Sequence, residues 1–343
     1  MERAEQVFAA ISNGPANEAF HHLQFAVQDE VDVHRTVLAW RAWSMLDVGG
    51  QKHAQTFLRQ SVRYCVDAEQ TRINRSREPS GIRQLLPMLL SDHHLLDKPA
   101  GVRSPSDREL MQLTQTVFAG TREEAARAVA QSLADGMSPQ SVGEALSLAA
   151  NQLLLFDPGR TQQQAQPDKP VGSVHGASVG VHACDSANAW RNIARVSDQR
   201  NAMASLIVGA YHTAGQRGSV GASEYPFASQ SENLREHAPE KLLEIANEAI
   251  RKNDQLQASA AIHQYSQKEG APRAAFDLLL QFAVTEEGAL HAEKFYRTVT
   301  EEFASARPSL RWRQLIGLAR VSASEYGQPA EGLAEAKSLL GIS

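Results

Sequence analysis

Cysteine is almost missing from this chain of 343 residues, which contains only Cys65 and Cys184. Two cysteines cannot build a disulfide framework, and their spacing matches no CxxC zinc motif. No run of about 18 apolar residues occurs, so the sequence predicts no membrane span and no membrane partner. The N-terminal stretch MERAEQVFAA also lacks the long apolar core of a secretion signal. Together these absences predict a cytoplasmic protein.

Several signature motifs of enzymes are absent as well. The sequence contains no GxGxxG, no phosphate-binding GxxxxGKS or GxxxxGKT, no GxSxG and no HExxH. Nucleotide binding, hydrolase-elbow chemistry and zincin proteolysis therefore lack support. An excess of positive charge is also lacking, because 34 Lys and Arg face 39 Asp and Glu, for a formal net charge of -5. A generally nucleic-acid-binding surface is therefore not expected.

The residues that are present favour helices. Apolar residues make up 42% of the chain and charged residues 21%, enough for a substantial core. Ala, Leu, Gln, Glu and Arg lose little side-chain freedom in helices, and β-branched runs are rare. The sequence therefore predicts an all-α fold.

Local signals mark several helix starts. Ser106 followed by Glu109, and Thr121 followed by Glu124, are capping-box patterns. Pro139 after Ser138 suits the first position of a further helix. Pro87 is expected to kink or to start a helix.

The order of the patterns suggests a degenerate helical-repeat array of about three copies. Each copy ends in a His-bearing helix followed by an apolar helix. The predicted boundaries are a partial first repeat at 1–75, a linker with a short helix at 76–105, a second repeat at 106–215, a mobile linker at 216–236 and a third repeat at 237–343. We expect these copies to form one structural domain around a central His-lined site.

The three copies carry their histidines in comparable places. The stretch VHGASVGVHACDSANAWRNIAR contains His182, VDVHRTVLAWRAW contains His34, and ALHAEKFYRTV contains His291. Imidazoles that converge from related helices would bind iron, zinc or another divalent metal. The spacing from His to the aromatic residue differs among the copies, so ordinary helix histidines beside interfaces remain an alternative.

Other polar residues extend this hypothesis. His175 lies seven residues before His182, about 10.5 Å along a helix, so His182 is the preferred ligand. His212 follows on the next helix, where a ligand role stays open, and His22 is preferred over His21. Glu30 and Glu287 each precede a candidate histidine by four residues, and either orient it or form ordinary helix pairs.

The stretches GSVHGASVGVHACDSANAWR and LHAEKFYRTV resemble the questin oxidase-like proteins, which are all-helical oxygenases of aromatic polyketides. The resemblance implies a non-haem iron held by several histidines and, in at least one member, by a carboxylated lysine. Carried over to this sequence, it would make His182 and His291 ligands and Lys294 the modified lysine. His34, His212 and His22 would be the candidates for the remaining positions.

Three functional hypotheses follow. The first is a metal-dependent oxidoreductase, with Fe(II) or another divalent metal, that acts with O2 on a small aromatic or apolar substrate. The second is a helical-repeat scaffold that binds another protein without chemistry. The third is the helical part of a longer redox protein.

Overall fold

The computed structural model describes residues 1–167, 169–174, 178–218, 220–284, 289–327 and 332–341. Its regular secondary structure is entirely helical in these ranges, and the only β-type pairings there are isolated bridges. The all-α prediction is therefore confirmed. Within the same ranges, no helix combines the length and the apolar composition needed to cross a membrane.

The chain divides into two compact units, and neither is one continuous stretch. Unit 1 comprises Met1–Ala150 and Ser186–Arg217, and unit 2 comprises Asn151–Asp185 and Gly218–Ser343. Two helices, α9 (Pro139–Leu155) and α10 (Val179–Val196), contribute residues to both units. The division into three sequence repeats stays a prediction.

Unit 1 contains nine further α-helices within the described residues and a short 3-10 helix at Gln51–His53. They are α1 (Glu2–Ile11), α2 (Ala16–Gln28), α3 (Val33–Ser44), α4 (Leu46–Gly49), α5 (Ala54–Asn74), α6 (Ile82–Asp92), α7 (Asp107–Ala119), α8 (Arg122–Ala134) and α11 (Gln199–Gly215).

The central helix of unit 1 is α11, which packs against α2, α6, α7 and α8. Every residue from Asn201 to Ala214 is buried, because neighbours cover the helix on all sides. Close packing shows at Gly209, where an added Cβ would lie 3.0 Å from Leu146 Cδ1 and from Trp190 Cβ. The predicted helix ending near Gly215 is thus the core of this unit.

Unit 2 contains seven further helices within the described residues. They are α12 (Ala228–Asn233), α13 (Pro239–Arg251), α14 (Gln255–Gln267), α15 (Pro272–Ala283), α16 (Ala289–Ser305), α17 (Trp312–Glu325) and α18 (Leu333–Leu340).

The central helix of unit 2 is α17, which packs against α13, α14, α15 and α16. Its residues from Gln314 to Glu325 are all buried. By contrast, α13 buries one stripe, formed by Leu242, Ala246, Ala249 and Ile250. This spacing of three and four residues is typical of a helix that faces the core on one side only.

The predicted helix starts are confirmed where the signal is local. Ser106 with Glu109 and Thr121 with Glu124 form complete capping boxes at α7 and α8. The Ser138 hydroxyl accepts a hydrogen bond from the backbone N–H of Ser141 at the start of α9. Pro87 lies inside α6, five residues after its first residue.

The connection at 216–236 contains more structure than an exposed linker. Its described residues include α12, and both Ser231 and Leu234 are buried. The helical signal is weak here because α12 is only six residues long. The short helix is therefore stabilised by its packing against α14 and not by helix propensity.

Candidate functional site

Two of the predicted histidines meet in unit 2. His182 lies on α10 and His291 on α16, and their ring centroids are 6.5 Å apart with an interplanar angle of 50°. Both side chains are half-buried. Since α10 begins at Val179, with the Ser178 hydroxyl accepting from the N–H of Val181, His182 lies in the first turn. His175 lies outside the described residues.

A buried ion pair lies one helical turn further along both helices. Asp185 follows His182 by three residues, and Lys294 follows His291 by three, so each pair shares a helix face. Lys294 Nζ is 2.7 Å from Asp185 Oδ2. Thr298, another turn along α16, donates its hydroxyl hydrogen to Asp185 Oδ1 at 2.8 Å. The carboxylate is thus held by two side chains of α16.

The residues on the α10 and α16 faces around Asp185 are buried. Asp185 is 1% exposed, and Thr298, Glu302 and Cys184 are also buried. Burial raises the pKa of the Cys184 thiol well above its usual value, and the charges of Asp185 and Glu302 raise it further. Cys184 is therefore a neutral core thiol.

The donor chemistry of this cluster fits a divalent metal in part. Two imidazoles bound to one ion at about 2.1 Å would have ring centroids roughly 5 Å apart, so the 6.5 Å separation needs only a small ring rotation. Asp185 Oδ2 is buried and makes no hydrogen bond in the described residues, because its contact with Lys294 is an ion pair without hydrogen-bond geometry. Two imidazoles and a carboxylate therefore lie on adjacent turns of α10 and α16.

The described part of the chain gathers no ready-made group of three or more His, Cys, Asp and Glu side chains that could hold a metal ion. An unmodified lysine that pairs with a carboxylate, as Lys294 does with Asp185, offers no lone pair to a metal. The carboxylated form of Lys294, which the resemblance implies, stays a prediction.

His212 lies in unit 1, in the middle of the buried helix α11. Its Nδ1 accepts a hydrogen bond from Trp190 Nε1 at 3.1 Å, and the residue is only 5% exposed. An imidazole that accepts at Nδ1 is neutral and carries its hydrogen on Nε2. In this state His212 satisfies the indole N–H of Trp190.

The other two candidate histidines also belong to unit 1, and both are exposed. His22 lies on α2, and His34 lies in the first turn of α3, 6.2 Å from the ring of Tyr64. The carboxylate of Glu30 accepts hydrogen bonds from the backbone N–H groups of Val31 and Ser80. Glu30 therefore stabilises a chain turn before α3, and it does not share a helix with His34. Glu287 lies outside the described residues.

The sequence reasoning missed the roles of Asp185 and Thr298. Asp185 was visible in the motif HACD, three residues after His182, but nothing local indicated its partner. Lys294 and Thr298 follow more than 100 residues later, and only tertiary packing brings them to Asp185. A general signal was nonetheless present, since an acidic residue among apolar helix positions requires a partner.

Comparisons of the chain with protein-family models, curated proteins and solved structures found no match.

Proposed function

We propose that this protein is a metal-dependent oxidoreductase whose metal, iron or another divalent ion, binds at the His182–His291 pair. The observation that carries the proposal is the approach of these two imidazoles from helices more than 90 residues apart in sequence. Borderline divalent metals favour imidazole nitrogen, and carboxylate oxygen suits iron and manganese. The reaction with O2 and the small aromatic or apolar substrate rest on the resemblance of two sequence stretches.

The residues around the pair have separate tasks in this proposal. His182 and His291 bind the metal through neutral ring nitrogens. Asp185 supplies negative charge beside them, and Thr298 and Lys294 hold that carboxylate in place. Lys294 also offsets the charge of Asp185, which lowers the cost of its burial. When bound, iron supplies the one-electron chemistry by which O2 reacts.

Metal content tests the proposal directly. Elemental mass spectrometry on tag-free protein, purified without added metal, is expected to find near-stoichiometric metal. The double variant His182→Ala, His291→Ala is expected to lose it. Oxygen consumption with a panel of hydroxylated aromatic compounds, measured on the metal-containing protein and on the double variant, then tests the reaction class.

The matched control is His22→Ala, His34→Ala, which removes two exposed imidazoles of unit 1. We expect this variant to keep its metal, because neither residue belongs to the pair. If wild-type protein holds no metal, or if the pair variant keeps it while folded by circular dichroism, the proposal is wrong. The protein-binding scaffold then becomes the better hypothesis.

A further inference from the structure

A second candidate site lies in unit 2, in a cavity of about 450 Å³. Its walls come from the end of α9, from α12 and the turn before it, from α14, and from the start of α17 with the turn before it. This volume is in the range of small-molecule sites. The two charged side chains of the wall, Glu224 and Arg313, form an ion pair with each other. The wall therefore offers no uncompensated charge from these groups.

A chain of hydrogen bonds fixes the protonation of a histidine in this wall. Gln264 Nε2 donates to Ser231 Oγ at 2.9 Å, and Ser231 Oγ lies 2.7 Å from His263 Nδ1. Ser231 is buried, and His263 Nδ1 is the only acceptor that its hydroxyl hydrogen reaches in the described part of the chain, so we place that hydrogen toward Nδ1. Burial lowers the pKa of His263, so the imidazole is neutral. A neutral imidazole that accepts at Nδ1 carries its hydrogen on Nε2.

The remaining ring nitrogen is therefore a fixed donor. Within the described residues, Nε2 of His263 has no hydrogen-bond partner and is not among the buried atoms that lack one. His263 is half-buried, so this edge of the ring retains exposure. The wall also contains two aromatic side chains, Tyr225 and Trp312, and apolar side chains that include Leu310 and Ile316.

A ligand for this cavity must match three properties. Aromatic and apolar walls favour a flat ring, a fixed N–H donor requires an acceptor, and paired charges favour a neutral molecule. We propose that the cavity binds a neutral aromatic compound whose carbonyl oxygen accepts a hydrogen bond from His263 Nε2. This site uses none of the metal-site residues, so it stands or falls independently of the proposed oxidoreductase function.

Three naphthalene derivatives of similar size test the proposal by isothermal titration calorimetry on the full chain. Acetylnaphthalene has the carbonyl, ethylnaphthalene lacks it, and naphthoate adds a charge. Acetylnaphthalene is expected to bind roughly tenfold more tightly than ethylnaphthalene, because the hydrocarbon leaves the donor unpaired. Naphthoate is expected to bind more weakly than the ketone, because no uncompensated cation receives its charge.

Variants connect the binding to the cavity. His263→Phe keeps a ring but removes the donor, so the ratio of the two dissociation constants should fall to about one. Ala228→Trp, at an exposed position of the wall, should weaken binding of both neutral compounds. His237→Phe, a histidine outside the wall, should leave both constants unchanged.

Three results would overturn the assignment. They are no binding of acetylnaphthalene to the wild-type protein, equal binding of ketone and hydrocarbon, and an unchanged ratio in His263→Phe. Thermal melts followed by circular dichroism establish that each variant is folded. If His263→Phe does not fold, Ser231→Ala replaces it, since loss of the Ser231 hydroxyl frees the imidazole hydrogen to move to Nδ1 and lowers the same ratio.

Discussion

Among the described residues, the cation that pairs with Asp185 is the side chain of Lys294. The carboxylate is 1% exposed, so water cannot replace that cation, whereas the Lys294 side chain is 21% exposed and less costly to desolvate. Breaking a buried ion pair on one side leaves an uncompensated charge. The two partners therefore differ in their cost of desolvation. Substitution of the lysine measures the free-energy cost of leaving the buried carboxylate of Asp185 without a partner.

Lys294→Met is expected to lower the free energy of unfolding by about 3 kcal/mol. Lys294→Arg, which retains a cation, should cost about 1 kcal/mol or less. Urea unfolding of the three proteins measures both values. Equal stability of Lys294→Met and wild type, measured on metal-free protein, would contradict this dependence of Asp185 on Lys294. Because arginine cannot take up CO2 as lysine does, full metal binding by Lys294→Arg would also contradict a carboxylated lysine ligand.

Residue contacts of this kind lie beyond sequence reasoning. The adjacency of His291 and Lys294 on one helix face follows from helical geometry and could be predicted. The partner of each could not, because the helices that carry them are brought together by packing. The same holds for Ser231 and His263, which lie 32 residues apart and are joined only through the contact of α12 with α14. His263 therefore had no visible partner in the sequence.

At the scale of elements, the ends of helices were the most predictable features. A capping box needs only residues three apart, so Ser106 with Glu109 identifies the start of α7 without knowledge of the fold. The short helix α12 lacks such a signal. The apolar stripe of α13 also predicts which of its faces is buried. The burial of α11 on every side could not be predicted in this way, because it depends on neighbours from distant parts of the sequence.

At the junction between α5 and α6, the carboxylate of Glu69 pairs with arginines from both helices. Glu69 Oε1 lies 2.8 Å from Arg72 Nη2, and Glu69 Oε2 lies 2.7 Å from Arg83 Nη2. These hydrogen bonds, that of Arg72 first and that of Arg83 second, lower the pKa of Glu69 from 4.5 to about 2. The acid therefore connects the end of one helix to the start of the next.

This junction makes the stability of unit 1 depend on pH. Because the folded-state pKa of Glu69 is depressed, its stabilisation is complete above about pH 4.5 and is lost as the pH falls through about 2. The contribution should be about 1 kcal/mol, since the partly exposed groups are screened by solvent. In urea unfolding, the difference between wild type and Glu69→Gln should shrink with falling pH. A constant difference would contradict this account.

At the scale of the whole molecule, the discontinuity of both units decides how the chain can be divided. A cut after Ala150 keeps helices α1 to α8 and the unit 1 part of α9. It removes α11 and the part of α10 that belongs to unit 1. The buried faces of α2, α6, α7 and α8 would then lose their common partner. Composition and helix patterns did not indicate this, because they carry no information on which segment returns to which core.

We therefore expect the fragment 1–150 to lack a cooperative thermal transition by circular dichroism, because its core is incomplete. The fragment 1–217 contains every residue of unit 1 and should melt cooperatively. Both fragments can be compared with the full chain at the same concentration. A cooperative melt of 1–150 would show that α11 is dispensable to this core.

Because α11 and α17 are buried on all sides, they should tolerate amino-acid substitutions differently from helices with one exposed face. In a comprehensive substitution scan, α13 should show tolerance that rises and falls every three to four positions, as its single buried stripe requires. Across Asn201–Ala214 and Gln314–Glu325 that rhythm should vanish, because there is no solvent side on which change is neutral. Two short, uniformly intolerant windows, one per unit, would then mark the parts of the chain with the least freedom to diverge.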